Sequence, residues 1–305
     1  ISYAISGTDA ALFNIDSASG VVTFRAPPDF ENPSDANADN TYNFVVTASD
    51  GTNSANQSFF VIVSNVEERT VIDLSALSAA QGFIIQGDAA FDRAGWAVSD
   101  AGDVNGDGFD DLIVGARHGD DGALNAGEAY VVFGSASGFG ETITSGGNDR
   151  KVIDLTKLSA SQGFIIQADT NGDSIGRKVS SAGDVNGDGF DDLLVAASNS
   201  SNGGSLTGEA YVVFGSASGF GETVTTDGYD RQVIDLSTLD ATQGFVIQGD
   251  ANSDYAGNSV SAAGDVNGDG YDDIVIGASY GDDGGSSSGE AYGIFGGATG
   301  TENTT

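Results

Sequence analysis

Short apolar runs, separated by clusters of Gly, Asn, Asp and Ser, recur along the whole chain. Runs this short, rich in Val, Ile and Phe, predict β-strands, and the clusters between them supply turn residues. In residues 1–68 the pattern alternates. ISYAIS, VVTF, YNFVVTAS and SFFVIVSNV read as strands, with turn-rich TDAAL and ENPSDANADN between them. That is the pattern of a β-sandwich. From residue 69 the pattern becomes a repeat. Units opening with VIDL at Val71, Val152 and Val233 each carry QGF(I/V)IQ, a polar loop, an unbroken apolar run (LIVGA, LLVAA, IVIGA) and GEAYVVFG, which reads GEAYGIFG in the third. SASGFGET follows in the first two. The first unit offers at least four strands, ending near Gln86 and Val98 and spanning Leu112 to Ala116 and Ala129 to Phe133. Such a repeat predicts β-propeller blades at 71–151, 152–232 and 233–305. The expected fold class is all-β throughout.

The polar loop is DVNGDGFDD at 103–111 and 184–192 and DVNGDGYDD at 265–273, a constant step of 81 residues. Asp103, Asn105 and Asp107 hold loop positions 1, 3 and 5, so alternate residues place three side-chain oxygens around one point. Gly108 permits the sharp turn. Phe109 at position 7 offers its carbonyl, and Asp111 at position 9 closes the set. Six or seven oxygens with several carboxylates suit Ca²⁺ better than Mg²⁺, which demands a tighter octahedron. The equivalent sets are Asp184, Asn186, Asp188, Phe190, Asp192 and Asp265, Asn267, Asp269, Tyr271, Asp273. An EF-hand needs Glu at position 12, where Val114, Val195 or Ile276 stands inside a β-branched run. The plain alternative is an ion-free Asp/Asn/Gly turn, against which the threefold recurrence weighs.

These loops and the strands after them resemble the FG-GAP repeats of integrin α-subunit propellers and their bacterial relatives. The name-giving motifs are altered: FG reads AG at 94–95, IG at 175–176 and AG at 256–257, and GAP reads GAR, AAS and GAS. Gly95, Gly176 and Gly257 remain. The resemblance implies structural Ca²⁺ and a ring of seven blades. Three are present, so the expectation is further blades beyond Thr305 or, second, an assembly of several chains. It also implies that recognition sits on the loops away from the metal face, here 117–126, 198–207 and 279–288, which vary most between units. Ahead of the repeats, FNIDSASGVVTFRAPPDFE resembles a cadherin repeat at Phe13, Ile15, Asp16, Gly20 and Val21, with Asp50 on a second acidic motif. PPDFENPSDAN is closest to bacterial cadherin-like adhesins. That resemblance implies a partial β-sandwich over 1–68 and a metal role for Asp29 and Glu31, with a solvated acidic rim as the alternative. The linker motif of that family is absent, since the chain reads Asn65, Val66, Glu67, Glu68.

Composition narrows the function. Net charge is −35, from 45 acidic and 10 basic residues, which makes nucleic acid and anionic membrane surfaces poor partners. No apolar run approaches the roughly 18 residues of a membrane span. There is no cysteine, hence no disulfide or thiol chemistry. The single histidine, His118, has Asn199 and Tyr280 at its repeat positions, and neither a catalytic triad nor a phosphate loop nor a zinc spacing occurs. The sequence therefore points away from an enzyme. It points to an extracellular, Ca²⁺-dependent adhesion or scaffold segment of a large bacterial surface or secreted protein, meeting protein or glycan at a cell surface or matrix. The alternatives are the accessory carbohydrate- or partner-binding propeller of a secreted enzyme, or a self-associating subunit of an extracellular fibre.

Overall fold

A computed structural model describes residues 1–65, 71–145, 147–168, 170–226 and 228–301. Two compact units emerge, Ile1–Ile72 and Asp73–Thr305. The expected end of the sandwich and its linker, 66–68, lies outside the described residues.

The first unit holds β1 (Ser2–Ser6), β2 (Phe13–Ile15), β3 (Val22–Phe24), β4 (Thr41–Ser49) and β5 (Ser54–Ile62). β1, β4 and β5 form an antiparallel sheet, and β2 pairs with β3. Phe13, Tyr42 and Phe44 are buried between them, with Val22, Phe24 and Val61 packed around. Asp9 is also buried, because its carboxylate accepts the amides of Ala36 and Asn43 and so ties the long turn to β4.

The second unit contains β6 (Phe83–Gln86), β7 (Ala97–Gly102), β8 (Asp111–Ala116), β9 (Glu128–Val132), β10 (Glu141–Ser145) and β11 (Asn148–Asp154). The second repeat gives β12 (Gly163–Gln167), β13 (Lys178–Gly183), β14 (Asp192–Ala197), β15 (Glu209–Val213), β16 (Glu222–Thr226) and β17 (Tyr229–Asp235). The third gives β18 (Gly244–Gln248), β19 (Ser259–Gly264), β20 (Asp273–Ala278) and β21 (Glu290–Ile294).

The sheets do not coincide with the sequence repeats. β7, β8 and β9 are consecutive neighbours, but the fourth strand of that sheet is β12, from the next repeat. β18 completes β13–β14–β15 in the same way. The four strands expected of each repeat all form, but they do not share one sheet. The Gln-Gly-Phe strands of the second and third repeats belong to the preceding sheet, more than 30 residues downstream of the strand they join, while β19–β20–β21 has no such addition among the described residues.

A hairpin absent from the expectations adds two further strands. β16 and β17 leave the second sheet after β15, and β17 lies parallel on β12 of the first. β10 and β11 do the same to β6. The SASGFGET segment is explained by this crossing. Its Phe220 stacks on Phe164 with ring centroids 4.0 Å apart, and Phe139 stacks likewise on Phe83 at 4.0 Å. VIDL ends each crossing: Asp73, Asp154 and Asp235 accept the amide two residues on and cap a short 3₁₀ turn.

β8 and β14 read as unbroken apolar runs because both their faces are covered. Along β14, Leu193 and Val195 join the core with Ile113 and Val131, while Leu194 and Ala196 join the core with Ile274 and Ile276. Neighbouring sheets meet along β7, β13 and β19. Close approach there needs glycine. A Cβ on Gly115 would lie 1.9 Å from the Gly176 carbonyl oxygen, and one on Gly176 would lie 2.1 Å from that of Glu128. Gly115 and Gly176, retained from the GAP and FG motifs, are thus packing contacts between sheets, whereas Gly95 has open space where its Cβ would lie.

Candidate functional site

Each polar loop joins the first strand of its sheet to the second, and folds its side-chain oxygens onto its own amides. Asp103 accepts from the amides of Gly106 (2.8 Å), Asp107 (3.0 Å) and Gly108 (2.9 Å). Asn105 Oδ1 accepts from Asp107 at 2.8 Å, and Asp107 Oδ1 accepts from Phe109 at 3.0 Å. The loops at 184–192 and 265–273 repeat the network bond for bond. Gly106 and Gly108 have φ of 75° and 88°, the left-handed region that favours glycine.

Position 9 has a second role that spacing alone does not reveal. Asp111 is fully buried, and its oxygens accept the amides of Val104 (3.1 Å) and Gly134 (2.7 Å). Asp192 holds Val185 and Gly215, and Asp273 holds Val266 and Gly296. The carboxylate thereby braces its loop to the end of the third strand. Burial pushes the Asp111 carboxyl up to about 6 against those two hydrogen bonds, and Asp107 and Asp103 add repulsion. Asp192 is pushed up to about 7 in the same way.

The loops also grip one another. The Asp191 carboxylate accepts the Asp103 amide at 2.8 Å, and Asp272 accepts that of Asp184 at 3.0 Å. Phe190 lies over Gly106 and Tyr271 over Gly187, so closely that a Cβ on either glycine would meet the ring at 2.4 and 2.5 Å. Position 8, which carries no ligand role in the motif, is what links one loop to the next.

The donor set fits a hard cation. It is all oxygen, it lies on an exposed turn, and an oxygen that accepts one N–H keeps a further lone pair. Among the described residues, the ion pairs involve Lys157 and Arg231 and none reaches these loops. Asp103, Asn105, Asp107, the Phe109 carbonyl and Asp111, with their counterparts, are the groups that would hold the ion.

Three stretches, 94–132, 176–213 and 256–294, match the FG-GAP repeat model, and each contains one of these loops. The chain carries three FG-GAP repeats. Over 211 residues it is 29% identical to a phosphatidylinositol-glycan-specific phospholipase D of Bos taurus, covering 68% of this chain and 21% of that protein. Over 193 residues it is 28% identical to integrin alpha pat-2 of Caenorhabditis elegans, covering 62% of this chain and 13% of that protein, and to its Caenorhabditis briggsae counterpart over the same shares. The chain thus spans about a fifth or less of the length of these relatives.

The second unit holds a second set of acidic groups that sequence reading missed, partly outside the matched stretches. Asp88, Asp92 and Glu128 converge in one repeat, and Asp250, Asp283 and Glu290 in another. Their signal was their recurrence, the Asp after QGF(I/V)IQ and the Glu of GEAY, but nothing in the spacing joins them. Glu128 is fully buried beneath the Tyr130 hydroxyl and the Asp121 amide. Burial pushes it up to about 7, and burial with the charges of Asp88, Asp120 and Asp121 pushes Asp92 to about 6. Arg231, on β17, reaches across to Asp121 at 2.7 Å and Asp88 at 3.5 Å. That guanidinium supplies the positive charge the first triad needs, which marks it as a clasp between repeats.

Asp29 and Glu31 are exposed, and Asp29 accepts the amides of Glu31 and Asn32 in a local turn. Among the described residues no third carboxylate converges on them. The variable loops 117–126, 198–207 and 279–288 follow β8, β14 and β20, at the strand ends opposite the polar loops. No helix among the described residues is long and apolar enough to cross a membrane.

Proposed function

We propose that this chain is a non-catalytic binding segment whose polar loops take Ca²⁺ and whose far strand ends present the recognition surface, as part of an extracellular adhesion or scaffold protein. The observation that carries this reading is the threefold oxygen-rich loop, linked to its neighbour through Asp191 and Asp272. Bound cations would offset the crowded carboxylates and stiffen a row of sheets, leaving the opposite loops free to vary. The integrin relatives support the adhesion reading, and the phospholipase D relative supports the second, an accessory module beside a catalytic domain. The sandwich-like first unit, read as a partial cadherin-like repeat over 1–68, belongs with either.

The test is calcium titration of chelator-stripped protein, followed by calorimetry and thermal melting. Extracellular sites bind with dissociation constants of roughly 10⁻⁴ to 10⁻³ M. At about 100 times that constant, each site adds on the order of 2.7 kcal/mol. The expected result is heat of binding with a rise in melting temperature, both reduced by Asp184→Ala. Absence of both ends the metal reading.

A further inference from the structure

At the strand ends opposite the polar loops three arginines gather. Trp96 is 47% exposed, the Arg117 guanidinium lies 3.6 Å from its ring centroid, and Arg93 lies 5.9 Å away. Arg177 starts the next sheet beside them, since its neighbour Gly176 abuts Gly115 and the Gly115 carbonyl accepts the Trp96 amide. Three of the chain's ten basic residues thus meet at one place in a molecule of net charge −35. Among the described residues none of the three has a carboxylate in salt-bridge range. Arg117 and His118 are both shifted down, by burial first and then by the neighbouring arginines, with Asp120 opposing the shift at His118.

The fold does not require these residues. Phe91, Arg93, Trp96, Arg117 and His118 correspond to Gly172, Ser174, Arg177, Ser198 and Asn199 in the second repeat, and to Ser253, Tyr255, Asn258, Ser279 and Tyr280 in the third. Five of these ten counterparts are glycine or serine, so the same backbone forms without the larger side chains. Arg177 also opens onto a cleft of about 550 Å³ shared with Asn199, Asn258, Tyr255, Tyr280 and Ser287. The rings of Tyr255 and Tyr280 stand 5.3 Å apart there, and Tyr280 is 55% exposed. Asp254 and Asp282 line the same cleft, so an anionic group is directed to the arginine end.

We infer that this surface, from Trp96 through Arg177 to Tyr280, binds an acidic glycan. Aromatic faces and amide and hydroxyl side chains suit pyranose rings, and guanidinium groups bind sulfate or carboxylate through paired hydrogen bonds. The cleft is within the size range of small-ligand sites. A general polyanion attractor is excluded by the charge of the remaining surface, which would repel any polymer that did not engage the arginines. The inference rests on the proposed placement of recognition at these strand ends.

The test measures binding of sulfated dextran oligosaccharides and of uncharged dextran to the whole chain at fixed calcium. Arg117→Gln with Arg177→Gln, and Tyr280→Ala, are run beside the parent, with melting curves to confirm folding. The expected result is binding of the sulfated form, weakened about tenfold per lost arginine and by added salt, with Tyr280→Ala also weaker. Equal binding by parent and arginine variants overturns the inference. So does sedimentation showing that the arginine variants merely abolish self-association, which would make the patch an interface between copies. Binding of the neutral oligosaccharide alone, unaffected by the arginine changes, overturns the acidic ligand but leaves the recognition surface standing. Binding that survives loss of both the arginines and Tyr280 removes both.

Discussion

Replacing Arg231 by Met tests whether the repeats are clasped by charge. Its side chain is 5% exposed, and its partners are Asp88, 6% exposed, and Asp121, 36% exposed. Removing one member of a buried pair leaves the other charge uncompensated, at about 3–5 kcal/mol. Because Asp121 is partly solvated, the lower end applies, about 3 kcal/mol. For a unit of this size that lowers the melting temperature by about 6–12 °C. The loss also carries a pH signature. Glu128 and Asp92 already stand at about 7 and about 6, above their ordinary range, chiefly through burial. Asp88 and Asp121, the partners of Arg231, are among the charges that raise both groups, so taking away the cation that offsets those charges should push both higher. A carboxyl raised in the folded state binds protons that the unfolded chain does not, so stability increases as pH falls from 8 toward 5.5. The gap between parent and variant should therefore narrow on acidification. Arg150→Met is the control, since Arg150 holds the same repeat position but meets the Ser75 carbonyl. Circular dichroism melts of the three proteins at pH 8, 7 and 5.5 decide the matter. A loss below about 1 kcal/mol, or a gap that widens in acid, refutes the clasp.

Asp191→Ala removes the bond to the Asp103 amide and should cost about 1 kcal/mol in a denaturant titration, whereas exposed Asp110, at the same loop position, makes no such bond among the described residues and Asp110→Ala should be neutral. Gly115→Ala drives a methyl into the Gly176 carbonyl and should lower stability by about 1–3 kcal/mol. Gly108→Ala, at φ 88° with open space around it, should cost about 1 kcal/mol from backbone strain alone, and the two melting curves distinguish collision from strain.

Much of this protein was written in its local patterns. The repeat step, the oxygen-rich turn and the strand that follows depend on residues within a few positions of one another, and the loops at 103–111, 184–192 and 265–273 each fold their side-chain oxygens onto their own amides. In the altered FG and GAP motifs, Gly115 and Gly176 still stand where the contact between the first two sheets leaves no room for a Cβ. What local patterns did not carry was partnership between distant edges. Nothing in GFIIQ says that it will pair with the strand of the repeat before it, because a strand's alternation fixes its faces and leaves its edges open to any equivalent strand. The crossing hairpin was hidden for the same reason, since nothing local shows that β17 will lie on the edge of β12. Charge followed suit. Arg231 and Asp121 are 110 residues apart, and only the return of the hairpin across the first sheet brings them together. The sequence by itself determined the turns, the strands and their period. The tertiary structure decided which edges met, and with them the buried acidic clusters and the basic aromatic surface, because those are products of chain path and close packing over long separations.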